Sequence, residues 1–333
     1  MPEIQFDVLA IGNAIVDVLA ATEDDFLVAE HLAKGTMHLI DATRAETLHR
    51  AMKMAVEKSG GSAGNTAAGV ASLGGAAAFI GKVADDSLGD LYRRDMRETG
   101  VHFATTPLAG GVPTARSMIL ITPDGERTMN TYLGACQSLG PDDIDEAVVT
   151  ASAITYLEGY LWDPPEAKKA FVKAAEIAHD AGRKVSLTLS DPFCVDRYRG
   201  EFLDLIRWKT VDILFANDSE LKSLYETADL QSAVNALRAE GVVAAVTVGP
   251  DGALVVSADG VNAVPATPVE MVADLTGAGD LFASGFLFGI ARGMKLTDAA
   301  RLGTIAASEV IGHIGPRPAT SLKALANRAG FAL

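Results

Sequence analysis

Cysteine is scarce: only Cys136 and Cys194 occur in 333 residues, without metal-ligand spacing, so neither a disulfide framework nor a thiolate metal centre organises this chain. Positive charge is also short. Lys and Arg number 28 against 43 Asp and Glu, giving a net charge of −15, which argues against nucleic acid or an anionic membrane surface as partner. Small anionic ligands stay open, because oriented amides and a few arginines reverse the field locally. No apolar run reaches the roughly 18 residues of a membrane span. The start, "MPEIQFDVLAIGN", has neither a basic flank nor a long apolar stretch, so the expectation is a cytoplasmic protein without a signal peptide. Two nucleotide motifs are missing as well, the Gly-Lys-Ser/Thr of a P-loop and the G-x-G-x-x-G of a dinucleotide fold. That disfavours a nicotinamide-dependent oxidoreductase.

Apolar residues are plentiful, at 49%, enough for one large domain with a small appendage. Short β-rich runs alternate with helix-period segments. "FDVLAI", "AAAFIGKV", "ITYLEG", "KVSLTL", "VDILFA" and "VVAAVTV" read as buried strands. Segments such as "PPEAKKAFVKAAEIAHDAG" between them end near glycine, as helices do. The alternation predicts an α/β fold, a doubly wound, mostly parallel sheet with helices on both faces. Two stretches break the rhythm. Arg116–Gly134 is two alternating strands around Pro123-Asp124-Gly125, and Ile15–Asp41 holds short β-like pieces. Together they predict a small β lid of residues 15–41 and 106–134, over a core of residues 1–14, 42–105 and 135–333. A lid serves chemistry that excludes water. The C-terminal "GPRPATSLKALANRAGFAL" reads as a closing helix.

"DLTGAGDLFASGFL" places Gly277, Ala278 and Gly279 directly before Asp280 and an apolar helix. Helix-start N–H groups attract anions, and small residues let an anion approach. A carboxylate there makes sense if the anion is a phosphoryl group in transit and Asp280 handles the attacking hydroxyl, its proton affinity lowered by the helix end. A plain helix-capping aspartate is the alternative. In "GGSAGNTAAGVASLGG" the glycines admit a sugar face and Asn65 offers a donor and an acceptor, although a tight turn before a packed helix explains them too. Asn13 and Asp17 follow the first strand's carboxyl end, where open α/β sheets bind ligands, and an aspartate there can hold a vicinal diol. In "NDSE", Asn217 to Glu220, the glutamate can organise water around Mg²⁺ or simply start a helix. "TVGPDG", with Thr247, Gly249 and Gly252, is a hairpin turn whose glycines also let backbone approach nucleotide phosphates. Arg127 sits on the lid hairpin, from which it can reach a transferred phosphate.

These pieces, in this order and over nearly the whole chain, resemble the ribokinase-like (phosphofructokinase-B) family of carbohydrate and nucleoside kinases. "GGSAGNTA" is similar to the family's first signature, "DLTGAGDLFASGFL" to its second and "NDSE" to its N-x-x-E motif; Leu275 departs from the second by its bulk. "GNAIVD", "SLTLSDPFCVDRY", "VDILFANDSE" and Arg127 are most similar to members that phosphorylate adenosine. The resemblance implies ATP and Mg²⁺, with the 5′-hydroxyl of adenosine or a free sugar such as fructose or ribose as acceptor. It implies Asp17 on ribose hydroxyls with Gly61, Ser62 and Asn65 in the same pocket, and Asp280 as base. Gly277 to Gly279 become the anion hole, with Thr247, Gly249 and Gly252 beside ATP. A monovalent cation such as K⁺ is implied near Asp274 and Thr276. A non-catalytic sugar- or nucleotide-binding protein is the remaining alternative, as monomer or homodimer. Tyr160 and Trp162 are aromatic candidates near the acceptor.

Overall fold

The computed structural model describes residues 3–333. Its strands are β1 (Phe6–Ile11), β2 (Ile15–Ala21), β3 (Met37–Leu39), β4 (Val56–Ser59), β5 (Ala77–Ile80), β6 (Val101–Phe103), β7 (Ala115–Ile121), β8 (Arg127–Tyr132), β9 (Ser152–Glu158), β10 (Lys184–Thr188), β11 (Ile213–Asn217), β12 (Val243–Thr247), β13 (Ala253–Ser257) and β14 (Gly260–Val264). Nine form one sheet in the order β14-β13-β12-β11-β10-β9-β1-β5-β6. Pairing is parallel from β6 to β12, and only the β12–β13 and β13–β14 pairings are antiparallel. The fold is therefore the expected doubly wound α/β layer. Its continuous apolar strands bury both faces under helices, as parallel strands joined by helical crossovers must.

The chain order switches direction at β1, between β5 and β9. Helices Ser62–Ser72 and Ala278–Ala291 pack together and against β1. Both are rich in glycine, alanine and serine on the facing sides, so the backbones approach closely: a Cβ on Gly69 would lie 2.4 Å from the Ser284 hydroxyl. This contact brings the two helix starts to the same place.

Five strands form the second sheet, ordered β3-β8-β7-β2-β4. It contains the expected hairpin, β7 with β8. The boundary drawn at residue 42 is corrected. Strand β4 pairs with β2, and the Ala42–Ala51 helix packs on β7 and β8, so residues 42–59 belong with the small sheet. "VEKS" has two charged residues in four positions and little apolar alternation to mark it as a strand. A second correction concerns the C-terminus. The closing helix covers only Leu322–Arg328; Gly315, Pro316 and Pro318 break the preceding segment into a loop. Among the described residues no helix is long and apolar enough to cross a membrane.

Candidate active site

The start of the Ala278–Ala291 helix is shaped by Gly277, whose φ of 82° lies in the left-handed region. A Cβ there would come 2.6 Å from the Pro316 carbonyl oxygen, so glycine is required. The Ala278 N–H donates to the Leu275 carbonyl at 3.2 Å, while those of Gly277, Gly279 and Asp280 have no acceptor among the described residues. The expected amide cluster therefore exchanges one member: Gly277, Gly279 and Asp280 offer free N–H groups, and Ala278 does not. Around Gly279 a Cβ would meet nothing within 4 Å. Open space over unpartnered helix-start amides is what an anion needs.

Asp280 stands in that first turn, partly shielded from solvent. The Ser62 hydroxyl donates to its Oδ1 at 2.6 Å and the Asn65 amide to its Oδ2 at 3.0 Å. Both donors lie on the first turn of the Ser62–Ser72 helix, which Gly61 opens with a φ of 82°. The two glycine-rich motifs thus meet through side chains 215 or more positions apart. Ser62 and Asn65, expected in the sugar pocket, both bond the Asp280 carboxylate. Burial raises the Asp280 pKa above the usual carboxylate value, against the pull of Ser62, Asn65 and the Arg317 charge. The expected lowering by the helix end is corrected: desolvation wins.

Asp17, on β2, is 8% exposed, and no donor among the described residues reaches its carboxylate. The main chain at Gly60 lies against it; a Cβ there would be 2.2 Å from Oδ2. Burial pushes Asp17 up to about 7, partly offset by Arg317 and Arg127. A nearly buried carboxylate without donors is costly unless a ligand brings them.

Asn13 is held by a residue the sequence reading missed. Its Nδ2 donates to Glu158 Oε1 at 2.7 Å and its N–H to the same oxygen at 3.3 Å, while Ala63 N–H donates to Oε2 at 2.8 Å. Glu158 ends β9, is 1% exposed, and is pushed by burial up to about 7. It ties β1, β9 and the Ser62–Ser72 helix together at the sheet's carboxyl edge. A glutamate closing an otherwise uncharged strand was the available signal.

Further along that edge, Asn217 and Thr247 are paired neighbours at the ends of β11 and β12. Asn217 and Glu220 form a capping box: Asn217 N–H and Nδ2 donate to the two carboxylate oxygens at 2.9 and 2.6 Å, and Glu220 N–H returns a bond at 2.8 Å. Gly249 has open space around it, whereas a Cβ on Gly252 would lie 2.1 Å from the Val264 carbonyl oxygen. Gly252 is thus demanded by the β14 connection.

Arg127 joins the small sheet to the loop before the Ala278–Ala291 helix. Its guanidinium ion-pairs with Asp274 and donates to the Thr276 hydroxyl at 3.1 Å. Asp274 also accepts from Thr276 N–H at 3.0 Å and Gly315 N–H at 2.9 Å. The lid arginine therefore sits on the pair for which a monovalent cation was expected. Trp162 is a packing residue between Phe171 and Phe202, and the Tyr160 hydroxyl donates to the Ser190 carbonyl oxygen at 3.1 Å.

A doubly wound sheet with a second sheet beside it, and a helix start presenting free amides next to a shielded aspartate, has the form of a small-molecule kinase. The chain belongs to the pfkB family of carbohydrate kinases, whose family model matches residues 8–323. Among its relatives is the crystal structure of adenosine kinase from Sinorhizobium meliloti, 56% identical, covering 98% of this chain and 100% of that one at a TM-score of 0.91. A probable sugar kinase from Rhizobium etli is 55% identical over 98% and 99% of the two chains, at a TM-score of 0.92. The ATP-dependent ribose-1-phosphate kinase of Halopiger xanaduensis is 34% identical over 69% of this chain and 73% of its own length.

Proposed function

We propose that this chain transfers the γ-phosphoryl group of ATP to the 5′-hydroxyl of adenosine. The observation that carries the proposal is the convergence of Ser62 and Asn65 on Asp280, beside free N–H groups at Gly277, Gly279 and Asp280. ATP, when bound, supplies the phosphoryl group. Asp280 accepts a hydrogen bond from the attacking hydroxyl, aims it, and takes its proton late in a loose transition state. The amides meet the charge that develops on the transferred group. Asp17 receives the ribose diol, whose two O–H donors match a carboxylate lacking donors of its own. Asn13, with one amide N–H committed to Glu158, offers its second N–H and its carbonyl oxygen.

For the nucleotide, Asn217, Thr247 and Gly249 lie at one edge, and the open surface at Gly249 admits phosphates. Mg²⁺ bound chiefly by phosphates and water fits the absence of a three-carboxylate cluster among the described residues. Glu220 would touch its hydration shell on lone pairs that the capping box leaves unused. Arg127 would exchange Asp274 for the transferred phosphate, and Asp274 and Thr276 would then be free for a cation.

Adenosine is favoured over a free sugar by the relative at 56% identity that is named an adenosine kinase; the sugar reading draws on the probable sugar kinase and the ribose-1-phosphate kinase. Initial rates with ATP and Mg²⁺ against adenosine, ribose, ribose 1-phosphate and fructose separate them. The expected outcome is a kcat/KM for adenosine at least about 10²-fold above each sugar, the loss expected when a binding site's partners go unfilled. Turnover confined to a sugar contradicts the adenosine proposal and keeps the kinase chemistry.

A further inference from the structure

The loop 312–321, between the last two helices, carries an arginine inward. Glu309 anchors it by accepting from the N–H groups of Ala319 and Thr320 at 3.0 and 2.8 Å, and Gly315 N–H donates to Asp274. The Arg317 guanidinium then reaches three partners. Its Nε donates to Asn65 Oδ1 at 3.2 Å, Nη1 to Ser59 Oγ at 2.7 Å, and Nη2 contacts Met96 Sδ at 3.3 Å.

The consequence lies in the chemistry of the two end groups. Arginine only donates and an ionised carboxylate only accepts. An amide placed between them has one possible orientation: oxygen to Arg317, nitrogen to Asp280. Resting on the kinase reading above, we propose that Arg317 is a positioning residue of the phosphoryl transfer, fixing the Asn65 amide and through it the place and charge state of the Asp280 carboxylate. Without Arg317 only the carboxylate selects the amide's orientation, and a flipped Asn65, its oxygen toward Asp280, favours the protonated carboxyl.

The electrostatic surroundings agree. Arg317 is the cation whose charge bears on Asp280. Asp17 on β2, Glu158 and Tyr156 on β9, and Tyr160 beyond it face the same carboxylate, each of them neutral or negative. Around Arg317 itself stand Tyr92 and Asp95 of the Ser87–Glu98 helix, with Asp17 and Asp280. Removing the guanidinium leaves Asp280 without the one cation that bears on it, beside the carboxyl groups of Asp17 and Glu158.

The test is the pH profile of kcat at saturating substrates for wild type, Arg317→Lys and Arg317→Met. Arg317→Met is expected to move the acidic limb upward by about one unit, the lower end of what a nearby opposite charge does, with kcat below the limb falling about tenfold. Arg317→Lys, which keeps the charge, is expected to return the limb most of the way. A purely structural arginine would lower activity at every pH and leave the limb where it was. Should Arg317→Met not fold, Arg317→Gln provides the same readout, since it removes the charge and keeps a polar side chain in the loop: an upward shift supports the proposal and an unmoved limb overturns it. A wild type that phosphorylates no acceptor sinks the kinase reading itself, whereas an active wild type with an unmoved limb in these variants sinks only the role of Arg317.

Discussion

Replacing Asp280 with asparagine is expected to lower kcat by about 10²-fold or more, the scale of a general base, with both KM values little changed. The substitution suits the site. Asn65 Nδ2 can still donate to the new side-chain oxygen, and the Ser62 hydroxyl, free to rotate, can accept from the new amide nitrogen. Shape and packing survive, and proton acceptance is lost. Because burial raises the Asp280 pKa, the wild-type acidic limb of kcat is expected above the ordinary aspartate range. Activity falls as pH drops through it, since only the ionised carboxylate can take the proton. Steady-state kinetics over a pH series measure both effects, and near-normal turnover by Asp280→Asn would remove Asp280 from the chemistry.

Asp17→Ala is expected to raise the acceptor KM by about 10²-fold while the KM for ATP stays within about twofold. Two hydrogen bonds to a charged group, each worth about 1.5–3 kcal/mol, set that scale. Its pH dependence follows from burial, which places Asp17 at about 7. The ionised form receives the diol, so acceptor kcat/KM in the wild type falls as pH decreases through that region. The variant lacks this part of the profile. A loss of ATP affinity with acceptor affinity intact would mean that Asp17 faces the nucleotide.

Much of this architecture is legible in the chain because glycine and small residues are forced at defined places. Gly61 and Gly277 both start helices with left-handed φ against a carbonyl oxygen, and the motifs around them mark the two helix starts that meet at Asp280. Parallel strands show as unbroken apolar runs, so the large sheet was readable, whereas "VEKS" and the β13–β14 hairpin carry weaker patterns. Long-range polar partners were not readable. Glu158 lies 145 positions from Asn13, and Arg317 lies 252 from Asn65. Nothing local announces either pairing, since it is created only when β1, β9 and the two helices assemble. Competition for the same atoms was hidden as well. Ala278 N–H bonds Leu275, Arg127 holds Asp274, and Glu220 closes a capping box.

The most direct measurement is a crystal structure of the Asp280→Asn variant with adenosine, ATP and Mg²⁺, in which slow turnover preserves the ternary complex. The account predicts the adenosine 5′-oxygen within about 2.6–3.2 Å of the residue 280 side chain. It also predicts ribose hydroxyls on Asp17 and the γ-phosphate over the N–H groups of Gly277, Gly279 and residue 280. A nucleoside bound with its 5′-oxygen turned away from residue 280, or phosphates seated elsewhere on the sheet edge, would contradict it.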